Sequence, residues 1–492
     1  MANICIIGLW HQASVTSACL ADMGHQVCEV GDDEKVVAAL NAGEPPVYEP
    51  KLKAIIRRNL RTGRLKYTTD YQEALRGAEF AYIAIDTPVG PNDESDLSSI
   101  FDAARYVGQA MPVLSRSPDP EPCPECKRRS SEGEGAAEGS GELILIVSAQ
   151  VPVGTCERIA AVVREENPAV VFDVAYVPEF LRLGTAVDTF RGADRFVVGA
   201  DDPAVAERIA ALYRPLGRPI VITNLRTAEM AKHASNAFLA TSISFINEIA
   251  NLCDEVSADA VQVAQIMKLD RRIGKYAFLS PGLGFAGGTL GREIRALQKL
   301  GQQHGCDTPM MDAVMTINQA RARLVGQRLQ RVYDSLEGLQ VGILGLTYKP
   351  GTSTLRRSIA LDIIRDLVAQ GASAKAFDPL ARLDEVADAS TLRQPFDKAQ
   401  ACTERSRSDK AQDAASLSTS LPPFEPCPDP YIAAQGSDAL VLVTEWSGIR
   451  DLDLPRLCAA MRRPVFIDTR NLFDPAKMQE AGFIYLGVGR GR

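Results

Sequence analysis

Short apolar runs separated by helical stretches restrict this chain more than any other feature. Ile4 to Ile7, Gln26 to Val30, Phe80 to Ile85 and Leu143 to Val147 are brief and mostly hydrophobic, the pattern of strands buried on both faces of a parallel sheet. Parallel neighbours need long crossover connections, and amphipathic segments such as Val15 to Met23 supply them. The alternation therefore predicts a doubly wound sheet. Val341 to Leu346, Ala374 to Asp378, Ala439 to Thr444 and Val465 to Asp468 predict a second one. Between the two series, Thr227 to Glu255 and Pro309 to Leu336 carry apolar residues at helical spacing without strong breakers. The expected architecture is α/β, with two doubly wound parallel-sheet domains joined by a long-helix block. The expected boundaries are 1–222, 223–336 and 337–492.

Two segments interrupt this plan. Residues 115–141 and 394–428 turn to Ser, Pro, Glu and Gly, or to a short near-repeat of Asp-Lys-Ala-Gln. Both are too polar to build a core and read as low-complexity surface insertions. At 492 residues the remainder still exceeds one compact core.

Charge and composition remove several function classes. A formal net charge of −8 offers no basic stripe with which to neutralise phosphates, so nucleic acid is not an expected partner. No run of about 18 uncharged apolar residues is present, so no membrane span is expected. The N-terminus enters a strand-like run directly, without a basic segment and cleavage site, which gives a cytoplasmic expectation. The 11 cysteines are odd in number and lie mostly in apolar segments, as reduced small hydrophobes do. Cys123-Pro-Glu-Cys126 has ligand spacing but no second pair or nearby histidine, and no metal is expected.

The chemistry-bearing motif nearest the N-terminus is Gly8-Leu9-Trp10-His11-Gln12-Ala13, placed between a strand and a helix. This is the setting of the Gly-x-Gly-x-x-Gly loop that cradles a dinucleotide pyrophosphate, and it makes the first domain Rossmann-like. Gly8 serves the tight turn and Ala13 is an accepted third residue, but Trp10 puts an indole where the second glycine admits the pyrophosphate. Asp32 or Asp33, in Gly31-Asp32-Asp33-Glu34-Lys35, would hold the ribose, with Lys35 beside them.

Further landmarks carry a wider resemblance. They are Gly43-Glu-Pro-Pro-Val-Tyr-Glu-Pro50, Val151-Pro-Val-Gly-Thr155, Pro178-Glu-Phe-Leu181, Ala228-Glu-Met-Ala-Lys232-His-Ala-Ser-Asn236, Leu269-Asp-Arg-Arg272, Gly345-Leu-Thr-Tyr-Lys349, Thr444-Glu-Trp446 and Arg470-Asn471. With Gly282-Leu-Gly-Phe-Ala-Gly-Gly-Thr289-Leu-Gly-Arg292-Glu293, they resemble the UDP-glucose/GDP-mannose dehydrogenase family, in its order and over nearly all of the chain outside the insertions. Tyr48-Glu-Pro50 and Thr444-Glu-Trp446 look more like the UDP-glucose branch.

The resemblance implies a cofactor domain, a helical dimerisation domain and a UDP-sugar domain, with the active site in the cleft between the outer two. It also implies NAD as cofactor, UDP-glucose or a related nucleotide sugar as ligand, and a homodimer or larger assembly. The implied reaction is a four-electron oxidation of the sugar C6 alcohol to a carboxylate, through a thiohemiacetal and a thioester on a cysteine. Lys232 and Asn236 match the residues that stabilise the C6 oxygen, and Glu179 matches a glutamate beside substrate and water. Phe180, Leu181, Phe278, Gly282 and Lys349 match substrate contacts, and Arg272 an arginine lent to the neighbouring subunit. Thr87, Arg292 and Arg356 match cofactor contacts. Glu293 stands at a catalytic acid.

The departures gather at the chemistry. Thr289 occupies the cysteine position, and its hydroxyl has too high a pKa to act as a thiolate does. Arg292 and Glu293 replace a lysine and an aspartate, Leu183 a glutamate, Gln150 a threonine, and Ser353 and Thr354 two aspartates. Three readings remain open at this point: a nucleotide-sugar dehydrogenase with a modified site, a non-catalytic nucleotide-sugar-binding member, and a two-electron dehydrogenase on another nucleotide sugar.

Overall fold

A computed structural model describes residues 1–87, 96–111, 143–355, 357–381, 383 and 421–491. The insertion at 115–141, Cys123, Cys126, Arg356 and residues 394–420 lie outside the described residues. The chain divides into two compact units between Ala234 and Ser235.

The first unit is built on an eight-stranded sheet of order β3-β2-β1-β4-β5-β6-β7-β8. Its strands are β1 Asn3–Ile7, β2 Gln26–Val30, β3 Leu65–Thr68, β4 Phe80–Ile83, β5 Leu143–Val147, β6 Phe172–Tyr176, β7 Phe196–Gly199 and β8 Ile220–Thr223. The first six follow the 3-2-1-4-5-6 order of a dinucleotide-binding sheet. Pairing is parallel except where β6 meets β7 at Tyr176 and Gly199. All five residues of β5 are buried, which is why it reads as a continuous apolar run.

The amphipathic segment expected from Val15 to Met23 belongs to helix His11–Asp22, and its burial corrects that expectation. Every residue from Gln12 to Ala21 is buried. Sheet lies on one side of this helix, and helices Leu52–Arg61 and Ala186–Arg191 pack against it. Small residues such as Ala13, Ser14, Ser17 and Ala18 allow that close approach.

Burial of this helix encloses one ionisable group. The carboxyl of Glu29, on β2, accepts hydrogen bonds from Ser14 Oγ at 3.3 Å and from Ser17 Oγ. Burial pushes its pKa from 4.5 up to about 8, against the opposing effect of the two hydroxyls. Between those values the folded chain keeps a proton that the unfolded chain has released, so stability falls as pH rises through the window. Glu29→Gln is expected to flatten the dependence. In thermal melts from about pH 5 to about pH 9, the parent's melting temperature should decline over this window while the variant's loses that component.

The second unit holds a six-stranded parallel sheet of order β11-β10-β9-β12-β13-β14. Its strands are β9 Gln340–Leu344, β10 Ser373–Phe377, β11 Glu425–Pro426, β12 Ala439–Leu442, β13 Val465–Asp468 and β14 Ile484–Gly487. Renumbered within the unit, this is again 3-2-1-4-5-6. Glu425 and Pro426 pair with Lys375 and Ala376, so the end of the segment read as an insertion to 428 is an edge strand. Two residues at an edge, one of them proline, give too little period for a strand signal.

In each sheet the first strand ends at a glycine that the turn requires. Gly8 has φ +133°, and a Cβ there would sit 2.6 Å from Ala84 O; Gly345 has φ +95°, and a Cβ would sit 2.4 Å from Thr444 Cβ. Both mark the point where the strand order reverses, the place where doubly wound sheets bind ligands at their C-terminal strand ends.

The remaining long elements are helices, the first of which contains the division at Ala234. Helix Leu225–Glu255 spans 31 residues, close to the expected start and end. The run expected to be helical from Pro309 to Leu336 is instead divided. Helix Pro309–Ala320 gives way to a tighter turn at Arg321–Arg323, and helix Leu324–Leu329 follows. At the break, the Arg321 guanidinium donates to Gly282 O at 2.7 and 2.9 Å. Burial lowers its pKa to about 10.

Candidate functional site

The candidate cofactor residues from Gly8 to Thr87 lie in the first unit, at the C-terminal ends of β1, β2 and β4, with Gln150 after β5, whereas the candidate Arg292 lies in the second unit. Trp10 precedes helix His11–Asp22 with extended backbone (φ −108°, ψ −168°), and no side chain caps that helix. Its first amide donors are thus left for an anion, as a pyrophosphate site requires. Because position 10 is extended, the indole is carried without backbone strain, and the side chain is half exposed. Asp33 caps helix Glu34–Asn41 through Lys35 N at 2.9 Å and Val36 N at 3.1 Å. Asp32 instead lies near Tyr71, where its charge adds to burial in raising the pKa of the hydroxyl, and Lys35 is exposed. Of the two acids, Asp32 is the one not committed to a helix cap. Thr87 Oγ1 donates to Gln150 O at 3.4 Å, and the buried Gln150 Nε2 has no partner among the described residues. The residues present fit a dinucleotide: a retained tight turn, an uncapped helix start and an acid after β2.

Lys232 is 4% exposed on the long helix. Its Nζ donates to Glu179 O, lies 3.5 Å from Glu179 Oε1 and sits 4.7 Å from the Phe180 ring centroid. Arg195 stacks on the same ring at 4.6 Å. Glu179 also accepts from Leu181 N at 2.6 Å, which fixes the Glu179–Leu181 turn. Asn236 follows Lys232 by one helical turn and is 8% exposed, and its Nδ2 has no partner among the described residues. A buried amide donor without a partner is costly and marks a place where a ligand acceptor would fit.

In the second unit the loop from Gly282 is held at several points. Gly282 N donates to Asn247 Oδ1 at 2.8 Å, and Asn318 clamps Phe285 through its N at 2.8 Å and its O at 3.0 Å. The loop delivers Thr289 to the start of helix Leu290–His304, where it is exposed and makes no capping bond. Arg292 and Glu293 are buried in the first turn. Lys349 Nζ lies 5.5 Å from the Tyr348 ring centroid, after β9. Trp446 Nε1 donates to Asp378 Oδ2 at 3.1 Å, and Thr444 Oγ1 donates to Thr347 O, so the strand ends after β9, β10 and β12 are cross-linked. Arg272 is largely exposed and pairs with Asp270 at 2.6 Å; Phe278 is also exposed.

Several organising residues carried no assigned role in the sequence. Glu229 is fully buried and accepts from Gly154 N at 2.7 Å and Cys156 N at 3.0 Å, an anionic cap on helix Thr155–Glu166. His233 Nε2 donates to Val151 O at 2.9 Å. Glu229, Lys232, His233 and Asn236 recur at i, i+3, i+4 and i+7, so they form one polar, buried face. That periodicity was visible in the sequence; its burial was not.

Comparison with known proteins identifies the chain's parts. Residues 2–113 and 136–217 match the NAD binding domain of the UDP-glucose/GDP-mannose dehydrogenase family. Residues 226–320 match its central domain and 342–475 its UDP binding domain. A UDP-glucose 6-dehydrogenase of Pseudomonas aeruginosa is 35% identical, over 100% of this chain and 98% of the relative. The UDP-glucose 6-dehydrogenase TuaD of Bacillus subtilis is 32% identical, over 100% of this chain and 94% of its own. The structure of a UDP-glucose dehydrogenase from Pyrobaculum islandicum superposes with a TM-score of 0.80 at 29% identity, covering 99% of this chain and 98% of that one. With such identity sustained along its whole length, the chain belongs to the UDP-glucose/GDP-mannose dehydrogenase family.

Proposed function

We propose that this chain oxidises the C6 alcohol of UDP-glucose with NAD, and that its reaction is largely confined to the first, two-electron stage. The observation that carries the reading is the buried face of the long helix, where the Lys232 ammonium lies one turn from the Asn236 amide, whose Nδ2 has no partner among the described residues. Both donate to the C6 oxygen as negative charge develops there. Bound NAD would supply the acceptor for the hydride that leaves C6. The hydroxyl proton passes to solvent and the sugar is left as an aldehyde. Gly8, the amides at the start of helix His11–Asp22, Asp32 and Thr87 would hold the dinucleotide. Lys349, Phe278 and Gly282 would contact the sugar nucleotide. The three-part division supports these assignments, since the family's cofactor, central and UDP binding domains match in that order.

The second stage needs a nucleophile that captures the aldehyde before another hydride leaves. A threonine hydroxyl at position 289 is not ionised at neutral pH and is no substitute. Absorbance of NADH with UDP-glucose, compared with GDP-mannose, tests the reaction class. Formation with UDP-glucose is expected. None, despite a UDP-glucose-induced thermal shift, would leave a binding protein.

We also infer a homodimer. Phe238, Phe245 and Leu252 recur every seven residues on the long helix and are 70%, 42% and 59% exposed. A second copy of the same stripe is the self-complementary cover that such a seam favours. Phe238→Glu combined with Phe245→Glu is expected to give a monomer by light scattering, while a dimeric double variant would contradict the assignment.

A further inference from the structure

Glu49, in the motif from Gly43 to Pro50, has no role in the reaction as described, yet its carboxylate is one of the most heavily engaged groups in the first unit. The side chain is fully buried. Its Oε2 accepts from His11 Nε2 at 2.8 Å and from Gly184 N at 2.8 Å, and its Oε1 accepts from Ala186 N at 2.9 Å. A carboxylate receiving two amide protons is the acceptor for the third group as well, so His11 donates.

These partners come from two separate places. His11 opens the first helix and belongs to the Gly8–Ala13 turn, whereas Gly184 and Ala186 follow the Glu179–Leu181 turn that holds Lys232. The turn has a second anchor, since Gln12 Nε2 donates to Ser148 O at 2.6 Å. His11 is therefore the point at which the cofactor turn touches Glu49, and Glu49 is the point at which that contact reaches the sugar-side segment.

We propose that Glu49 is a positioning residue that joins the cofactor turn, through His11, to the segment after Glu179, through Gly184 and Ala186, so that a dinucleotide ordering the first also orders the second. This rests on the NAD reading given above. A buried carboxylate cannot lose one donor without a penalty, because its remaining partners must then satisfy its charge alone. Displacing His11 therefore loosens Gly184 and Ala186 although neither touches it. The coupling runs both ways, as linkage requires.

The test combines NAD titration by calorimetry with amide hydrogen exchange of the segment 181–186, in the parent, His11→Leu and His11→Gln. In the parent, NAD is expected to slow exchange at Gly184 and Ala186 by about tenfold. In His11→Leu the protection disappears and NAD affinity falls by about tenfold. His11→Gln retains an N–H donor and should recover most of both, which a mere packing role for the imidazole would not produce. Melting temperatures check that the variants are folded, and the glutamine variant carries the test if the leucine variant is not. If NAD binds the parent but exchange at 181–186 is the same in parent and His11→Leu, the joint is overturned and the NAD reading stands. If the parent does not bind NAD, the cofactor reading falls and the joint falls with it.

Discussion

Lys232→Met is expected to lower kcat by about 100-fold to about 1000-fold, the loss typical of removing one preorganised donor from a developing oxyanion. The KM for UDP-glucose should change little, because the nucleotide contacts assigned to Lys349, Phe278 and Gly282 are untouched. Methionine fills nearly the volume of lysine but leaves Glu179 O without its donor and the Glu179 carboxylate without its cation, so the melting temperature should fall modestly, far too little to account for the loss of kcat. Lys232→Arg is expected to fail as well. The Nζ contacts Glu179 O, Glu179 Oε1 and the Phe180 ring in a slot that is 4% exposed, and a planar guanidinium cannot reproduce that geometry. Steady-state kinetics with both variants distinguishes this role from general charge, since an electrostatic effect at a distance would leave the arginine variant active.

Thr289→Cys is expected to raise the yield of NADH from about one to about two per sugar, by supplying the thiol that the second oxidation lacks. The position is suited to it. Residue 289 is exposed at the start of helix Leu290–His304, with no capping bond to compete for the side chain. The positive end of a helix lowers a thiol's pKa, so the introduced cysteine should ionise below the usual range. Faster alkylation by iodoacetamide near neutral pH than in the parent would report this directly. Background labelling from the exposed Cys306, beyond the other end of that helix, is measured in the parent.

The parts of the fold that were legible in the sequence are those where burial is two-sided. β5 is buried at every position and β12 likewise, so their apolar runs stood out and their bounds were close to those found. Helix His11–Asp22 was harder, because burial all round with small residues leaves no stripe. The short edge strand Glu425–Pro426 carries no alternation, and the turn at Arg321–Arg323 depends on a carbonyl 39 residues away. Lys232, Asn236 and Thr289 could be picked out as candidates because they stand in local motifs. Glu49 and Glu229 were not, since each acts by accepting backbone protons from segments 135 and 75 residues distant. Trp10 looked like an obstruction to the pyrophosphate. Its extended backbone carries the indole without strain and leaves the side chain half exposed, but it does not restore the bare backbone that a second glycine offers the pyrophosphate.

The measurement that bears most directly on this account is the number of NADH molecules formed per UDP-glucose consumed by the unmodified protein, run to completion with the sugar product identified by mass spectrometry. A value of about one, with the C6 aldehyde or its hydrate as product, is predicted for a site with Lys232 and Asn236 in place and threonine at 289. A value of about two with UDP-glucuronate as product would contradict it, and would show that the second oxidation proceeds without a thiol at that position.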